Sequence, residues 1–313
     1  MTGRLVSCAG VSCAGLHPSH LCLHKTVGFI NAVKDMLAMT DAIIEKLMVK
    51  KLNMEDLQNY LDFAVGLAKD CGKIISKTFR KTHTVKYKGP VDIVTEADAA
   101  SQNYAVLSIK RAFPSHSILA EEDNLNISNN SKFKWIIDPL DGTTNYAHGL
   151  PIFCFSAALE KDSEIIMGCA YNPVLKEMFY AVKNGGAYLN GKKINVSKTA
   201  AFERSLLSTG FPYDKKINPD NNFDHFRDIS INVRGIRRLG SAVLDICYTA
   251  AGFLDGYWEL NLNPWDMASG SLIIKEAGGI VTDFCKRPLD IYKKRILASN
   301  GLIHDEMSKI LCK

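Results

Sequence analysis

The chain of 313 residues is long enough for two domains or one large one. At 47% hydrophobic and 23% charged it is neither a disordered nor a fibrous composition, and it holds no run of about 18 apolar residues that could cross a membrane. The net charge of +5 is small for this length, and the Lys and Arg residues are scattered, which argues against a nucleic-acid partner.

Residues 1–52 differ from the rest and are expected to lie outside the main fold. Cys8, Cys13, His17 and His20 crowd together there, but their spacing matches no recognised zinc finger. A targeting peptide, or a natural start at Met36 or Met54, stays open. The cysteines after residue 50, Cys71, Cys154, Cys169, Cys247, Cys285 and Cys312, are singletons without framework spacing. They read as free thiols, mostly buried, in a reducing, cytoplasmic setting.

Leu57, Tyr60, Leu61, Ala64, Val65, Ala68, Ile75 and Phe79 recur near a 3.6-residue period. They predict an amphipathic helix over 54–81, capped by Asn53. Lys86–Pro90 reads as a basic loop. Thr95 followed by Asp98 is a capping-box pattern for a helix running to about Arg111. Ser117–Ala120 reads as a short strand, and Glu121 opens an acidic run after it. Asp123 and the Asn/Ser-rich segment 124–131 read as a surface loop.

Trp135-Ile136-Ile137 is a buried strand by its bulky and β-branched residues. Pro139 lacks an N–H, so the strand is expected to stop there. Asp138 and Asp141 can then curl round one point with the Leu140 carbonyl between them. Hard oxygens converging at a strand end suit Mg²⁺, although Asp, Gly and Thr are also ordinary turn residues.

Further on, 152–160, 164–171 and 177–182 read as antiparallel strands joined by Asn/Gly and Asn/Pro turns. Another strand covers 204–209, and 210–226 reads as a loop. Ser241 is an N-cap for a helix ending near Gly252. Asp255–Leu260 reads as a short strand that carries Glu259 near its end. Asn263-Pro264-Trp265-Asp266 is a strong helix start, which explains Asp266 without any metal. The helix stops at Gly278-Gly279, and 280–282 and 296–299 read as closing strands.

Asp138-Pro139-Leu140-Asp141-Gly142-Thr143-Thr144-Asn145 resembles the signature of the inositol monophosphatase family of Mg²⁺-dependent, lithium-sensitive phosphatases. Glu121-Glu122-Asp123 upstream and Asn263-Pro264-Trp265-Asp266 downstream complete the pattern, and the likeness runs from about Met54 to the C-terminus. The resemblance implies a layered α-β-α-β-α sandwich, the sugar phosphatase fold, with an α+β half over 53–200 and an α/β half over 201–313. It implies Glu121, Asp138, the Leu140 carbonyl, Asp141 and Asp266 as ligands of two or three Mg²⁺ ions. Glu121, Thr143 and Asp98 would handle the attacking water, with Asp98 paired to the Thr143 hydroxyl. Asp141, Gly142, Thr143, Ser241, Ala242, Glu259 and Asp266 would contact the substrate, with Gly142 and Thr143 N–H groups on the phosphate. Ser241 stands where many members carry Thr. For Glu259 an exposed strand-end charge is an equal reading.

The implied reaction is hydrolysis of inositol 1-phosphate, a small phosphorylated polyol, by a cytoplasmic homodimer. Histidinol phosphate, fructose bisphosphate or a nucleotide phosphate on the same scaffold is the alternative within the class. A non-catalytic protein- or RNA-binding use of the fold is the alternative of another class, and it is weakened because every ligand position is filled. A dinucleotide-binding fold is excluded, since no G-x-G-x-x-G follows a strand.

Overall fold

Residues 57, 61, 64, 68, 71 and 75 are all buried, so one stripe of the first helix, α1 (55–78), faces the interior. The computed structural model describes residues 55–81, 85–87 and 93–313. Asn53, the cysteine- and histidine-rich segment and the loop around Pro90 lie outside the described residues. The expected loop over Lys86–Pro90 starts later than predicted, because β1 (Val85–Tyr87) pairs antiparallel with β2 (Ile93–Thr95). Then follow α2 (Glu96–Ala112), β3 (Ser117–Ala120), β4 (Leu125–Ile127), β5 (Phe133–Asp141) and the short α3 (Thr143–Ala147). The meander β6 (Cys154–Lys161), β7 (Glu164–Asn172), β8 (Glu177–Val182), β9 (Gly186–Leu189) and β10 (Lys192–Lys193) comes next. The remainder is β11 (Leu206–Thr209), α4 (Phe223–Ser230), β12 (Gly235–Arg237), α5 (Ala242–Ala250), β13 (Gly256–Leu260), α6 (Pro264–Glu276), β14 (Ile280–Thr282), β15 (Arg295–Ser299) and α7 (His304–Leu311).

Two sheets organise these elements. The eight-stranded sheet has the order β10-β9-β8-β7-β6-β5-β3-β4, and the five-stranded sheet β12-β11-β13-β15-β14. In the larger sheet only β3 and β5 run parallel, whereas β11 is parallel to both its neighbours. Strand alternation sorts the core. Trp135 and Ile137 face one way, into the cluster with α1 and α2, while Ile136 faces the cluster with α5 and α6. That second cluster also takes Tyr257, Ile296 and Ala298 of the smaller sheet. The outer face of the smaller sheet packs with Ile229 of α4 and Met307 and Leu311 of α7. The layers are therefore α-β-α-β-α, as expected.

Several sequence expectations need correction. The strand does not stop at Pro139. Pairing runs Asp138↔Ser156 and resumes at Asp141↔Cys154, so one extra residue is accommodated as a β-bulge. Part of the expected surface loop after Asp123 is β4, which pairs antiparallel with β3. The expected loop 210–226 ends in α4, and β9, β10 and β12 are additional short strands. Cys285 and Cys312 are exposed and joined by a disulfide, with Cα atoms 4.9 Å apart; they are not free thiols. Cys71, Cys154, Cys169 and Cys247 are free and buried, as expected.

The aromatic core beside α1 contains a histidine with a defined protonation state. His116 Nδ1 accepts from the Trp135 indole N–H at 3.2 Å, and the ring stacks between Phe113 and Phe133. Burial lowers its pKa from the ordinary 6.5. The folded state thus binds fewer protons than the unfolded one just below the ordinary value, so its stability contribution is present above about 6.5 and is lost as pH falls from there through the lower value of the folded state. Between about pH 7.5 and about pH 5.5 the urea midpoint of the wild type should fall relative to that of His116→Gln measured at the same pH. An unchanged slope in the variant would remove His116 from the account. Comparing the two proteins cancels the cleft carboxylates, whose raised pKa values work in the opposite direction.

Candidate active site

The bulge at Pro139 makes the site. Residues three apart on a regular strand point to opposite faces, but one extra residue returns Asp141 to the side of Asp138. The Leu140 N–H donates to Asp138 Oδ1 at 2.9 Å, which fixes the first carboxylate against its own chain. Asp266 arrives from the first turn of α6, where its Oδ2 accepts from the Asn263 N–H at 2.7 Å and closes a capping box. One carboxylate oxygen from each of Asp138, Asp141 and Asp266 lies within 4.8 Å of the others. Burial first, then the charges of Glu121, Asp141 and Asp266, pushes Asp138 well above the usual carboxylate range. Asp266 is pushed up in the same way, by burial and then by Asp141 and Glu121. Burial also pushes Asp141 up, to about 6, against the hydrogen bonds that hold it down. Three like charges at this spacing, two of them buried and one half-buried, call for a cation or for protons.

Asp141 is also the anchor of α5. It accepts from the Ser241 hydroxyl, from the Val243 N–H at 2.9 Å and from the Ala242 N–H at 3.3 Å. Ser241 itself caps the helix, accepting from the Leu244 N–H at 3.4 Å. The helix N-terminus predicted beside the substrate is thus tied directly to this carboxylate.

Asp98 serves both of its expected contacts through separate oxygens. Its Oδ2 accepts from the Thr95 N–H at 2.8 Å and the Thr95 hydroxyl at 2.5 Å, and its Oδ1 accepts from the Thr143 hydroxyl at 3.1 Å. That hydroxyl also lies 3.0 Å from the Leu140 carbonyl. Asp98 is fully buried behind Thr143, and burial raises its pKa despite these donors. Glu121 is half-buried and lines the cleft. It stands outside the tight group of three, yet near enough to act on Asp138 and Asp266 by charge. Behind it, the Gln102 side chain clamps Glu122, accepting from its N–H at 2.8 Å and donating to its carbonyl at 2.9 Å.

A cleft of about 520 Å³ brings together Glu121, Asp138, Leu140, Asp141, Gly142, Thr143, Ser241, Ala242, Glu259 and Asp266. Every sequence-predicted site residue except the buried Asp98 lines it. Glu259 is half-buried in the cleft wall, so the strand-end charge is the reading that fails. Sequence reasoning missed Gly210, Lys215, Arg238 and Lys294, which line the same cleft from three loops. Behind the wall, the buried Tyr257 stands two residues before Glu259 on the same strand face.

Comparisons with known proteins place the chain in a family. A sequence model described as the inositol monophosphatase family matches residues 56–313. The inositol-1-monophosphatase of Synechocystis is 44% identical over 257 residues, spanning 82% of this chain and 90% of that protein. Inositol monophosphatase 3 of Solanum lycopersicum is 39% identical, spanning 82% and 97%. The solved inositol monophosphatase of Anabaena (Nostoc) superposes with a TM-score of 0.76 at 41% identity, spanning 82% of this chain and 96% of that one. By fold and kinship the chain is a phosphoric monoester hydrolase. It belongs to the inositol monophosphatase family.

Proposed function

We propose that this enzyme hydrolyses myo-inositol 1-phosphate to inositol and phosphate with the help of magnesium. The observation that carries the reading is the convergence of the buried Asp138 and Asp141 with the half-buried Asp266 in one cluster. Its donors are hard oxygens without a thiolate or imidazole among them, which suits Mg²⁺ rather than zinc. Glu121 and the Leu140 carbonyl extend the same oxygen set to two or three ions. Bound there, magnesium supplies positive charge that acidifies water and offsets the charge of the phosphate.

The chain's own groups do the rest. Glu121 and Thr143 orient the attacking water; its proton goes to the Glu121 carboxylate, or to the Thr143 oxygen as the Thr143 hydroxyl passes its own proton to Asp98, which holds that hydroxyl in place. The water oxygen bonds to phosphorus, the bond from phosphorus to the inositol oxygen breaks, and the departing oxygen takes a proton. Gly142 and Thr143 hold the phosphate by backbone N–H groups. Ser241, Ala242 and Glu259 face the polyol. We extend the reading, on family resemblance, to lithium sensitivity, a homodimer and a cytoplasmic location. We also place the division between the two halves near residue 200, after the last strand of the larger sheet.

The test is phosphate release from inositol 1-phosphate, histidinol phosphate, fructose 1,6-bisphosphate and 3′-phosphoadenosine 5′-phosphate. Inositol 1-phosphate should be turned over selectively, chelation should abolish turnover, Mg²⁺ should restore it, and Li⁺ should inhibit it. Preference for another of these substrates would reassign the pocket, and turnover insensitive to chelation would remove the metal.

A further inference from the structure

Glu259 does not hang in the cleft from a flexible stem. On one side, the Tyr257 hydroxyl donates to its Oε2 at 2.5 Å. Tyr257 and Glu259 are two apart on β13 and so share a sheet face, while Tyr257 is fully buried. On the other side, the carboxylate lies flat against Gly210. A Cβ built on that glycine would stand 2.0 Å from Oε1, 2.1 Å from Cδ and 2.2 Å from Oε2. No side chain larger than hydrogen fits there while Glu259 keeps its position.

Gly210 is itself fastened. The Asn222 side-chain amide donates to the Gly210 carbonyl at 2.6 Å and to Thr209 Oγ1 at 2.8 Å, and its oxygen accepts from the Trp258 indole at 2.8 Å. Trp258 sits between Tyr257 and Glu259 in sequence and points to the opposite face, into the cluster with α4 and α7. The wall that carries Glu259 and the loop that presses on it are therefore tied to one buried amide.

We infer that Tyr257 and Gly210 form a seat that fixes the direction of the Glu259 carboxylate, and that this seat makes the cleft select phosphate esters of polyols over phosphate esters without hydroxyls. Tyr257 acts as a positioning residue through Glu259. A carboxylate held by one donor has lone pairs left to accept from neighbouring hydroxyls, and a fixed direction makes that acceptance a matter of stereochemistry. The tyrosine remains a donor throughout, because burial and the neighbouring Glu259 and Asp245 push its phenol well above its ordinary value. The inference deepens the proposed function and rests on it.

The experiment compares kcat and KM for inositol 1-phosphate and for phenyl phosphate, with Mg²⁺, in the wild type, Tyr257→Phe and Gly210→Ala. Tyr257→Phe keeps the buried ring and removes one hydrogen bond to a charged group. It should cut the preference for inositol 1-phosphate over phenyl phosphate by about tenfold, chiefly through KM for the polyol ester. Gly210→Ala should cut it in the same direction by displacing the carboxylate from the opposite side. Melting curves identify any variant that fails to fold, and the other variant then carries the test. A wild type that prefers inositol 1-phosphate, together with folded variants that keep this preference, would overturn the seat alone. A wild type without that preference would overturn the proposed substrate, and the seat with it.

Discussion

Asp138→Asn should lower kcat for phosphate release by about a thousandfold or more while making the metal-free protein more stable. The substitution keeps the shape of the side chain and removes one of the three carboxylates whose oxygens gather within 4.8 Å. Loss of catalysis follows if the cluster holds the ion that carries charge in the transition state, because removing one well-placed electrostatic group from such a site costs about a hundredfold to a thousandfold and a ligand should cost at least as much. The gain in stability follows from the same burial. Asp138 is 1% exposed and pressed by three acidic neighbours, so the folded protein without metal bears a penalty that an amide does not. Steady-state assays with Mg²⁺ and thermal melts in chelator separate the two effects. A variant that keeps more than about a tenth of the activity would dismiss Asp138 as a ligand. A variant that melts lower in chelator would dismiss the crowding of charge.

Gly168→Ala should be the most damaging single methyl added to the core. Gly168 lies in the middle of β7, where the strand backbone meets α6. A Cβ there would stand 2.6 Å from the Ser269 carbonyl oxygen and 3.0 Å from the Ser269 Cα. Both are backbone atoms of a helix pinned on its far side, since Gly270 lets Ile246 of α5 approach to 2.9 Å of its own missing Cβ. Neither neighbour can swing away as a side chain would. Overpacking of this kind costs about 3 kcal/mol, or about 6–12 °C in Tm for a unit of this size. Because α6 also carries Asp266, activity should fall with stability. A melting temperature within about 2 °C of wild type would show that the strand and helix can part at little cost.

Much of this molecule is legible in its sequence. Glu121, Asp141 and Asp266 stand at or just beyond element ends, where strand and helix signals meet, and the short polar turns dictate the antiparallel meander from β6 to β8. What the sequence hides are relations between distant segments. Pro139 reads as a strand terminus because the missing N–H is visible locally, whereas the partner register that absorbs it belongs to β6. Cys285 and Cys312 lie 27 residues apart with no spacing to announce their pairing. Helix α4 hides in a stretch whose Asn, Asp and Pro content reads as loop. The contact between Gly210 and Glu259 has no sequence signature at all, since any loop glycine looks alike until its neighbour is known.

The one extra residue between Asp138 and Asp141 has a consequence for anyone who would move this site elsewhere. Copying Asp138-Pro139-Leu140-Asp141 onto an unbulged strand of another protein would send the second carboxylate to the far side of the sheet. The portable unit is a strand one residue longer than its neighbour requires, together with the mismatch that length creates. Families that trade single-residue insertions and deletions at this point would switch a binding centre on or off without altering any ligand.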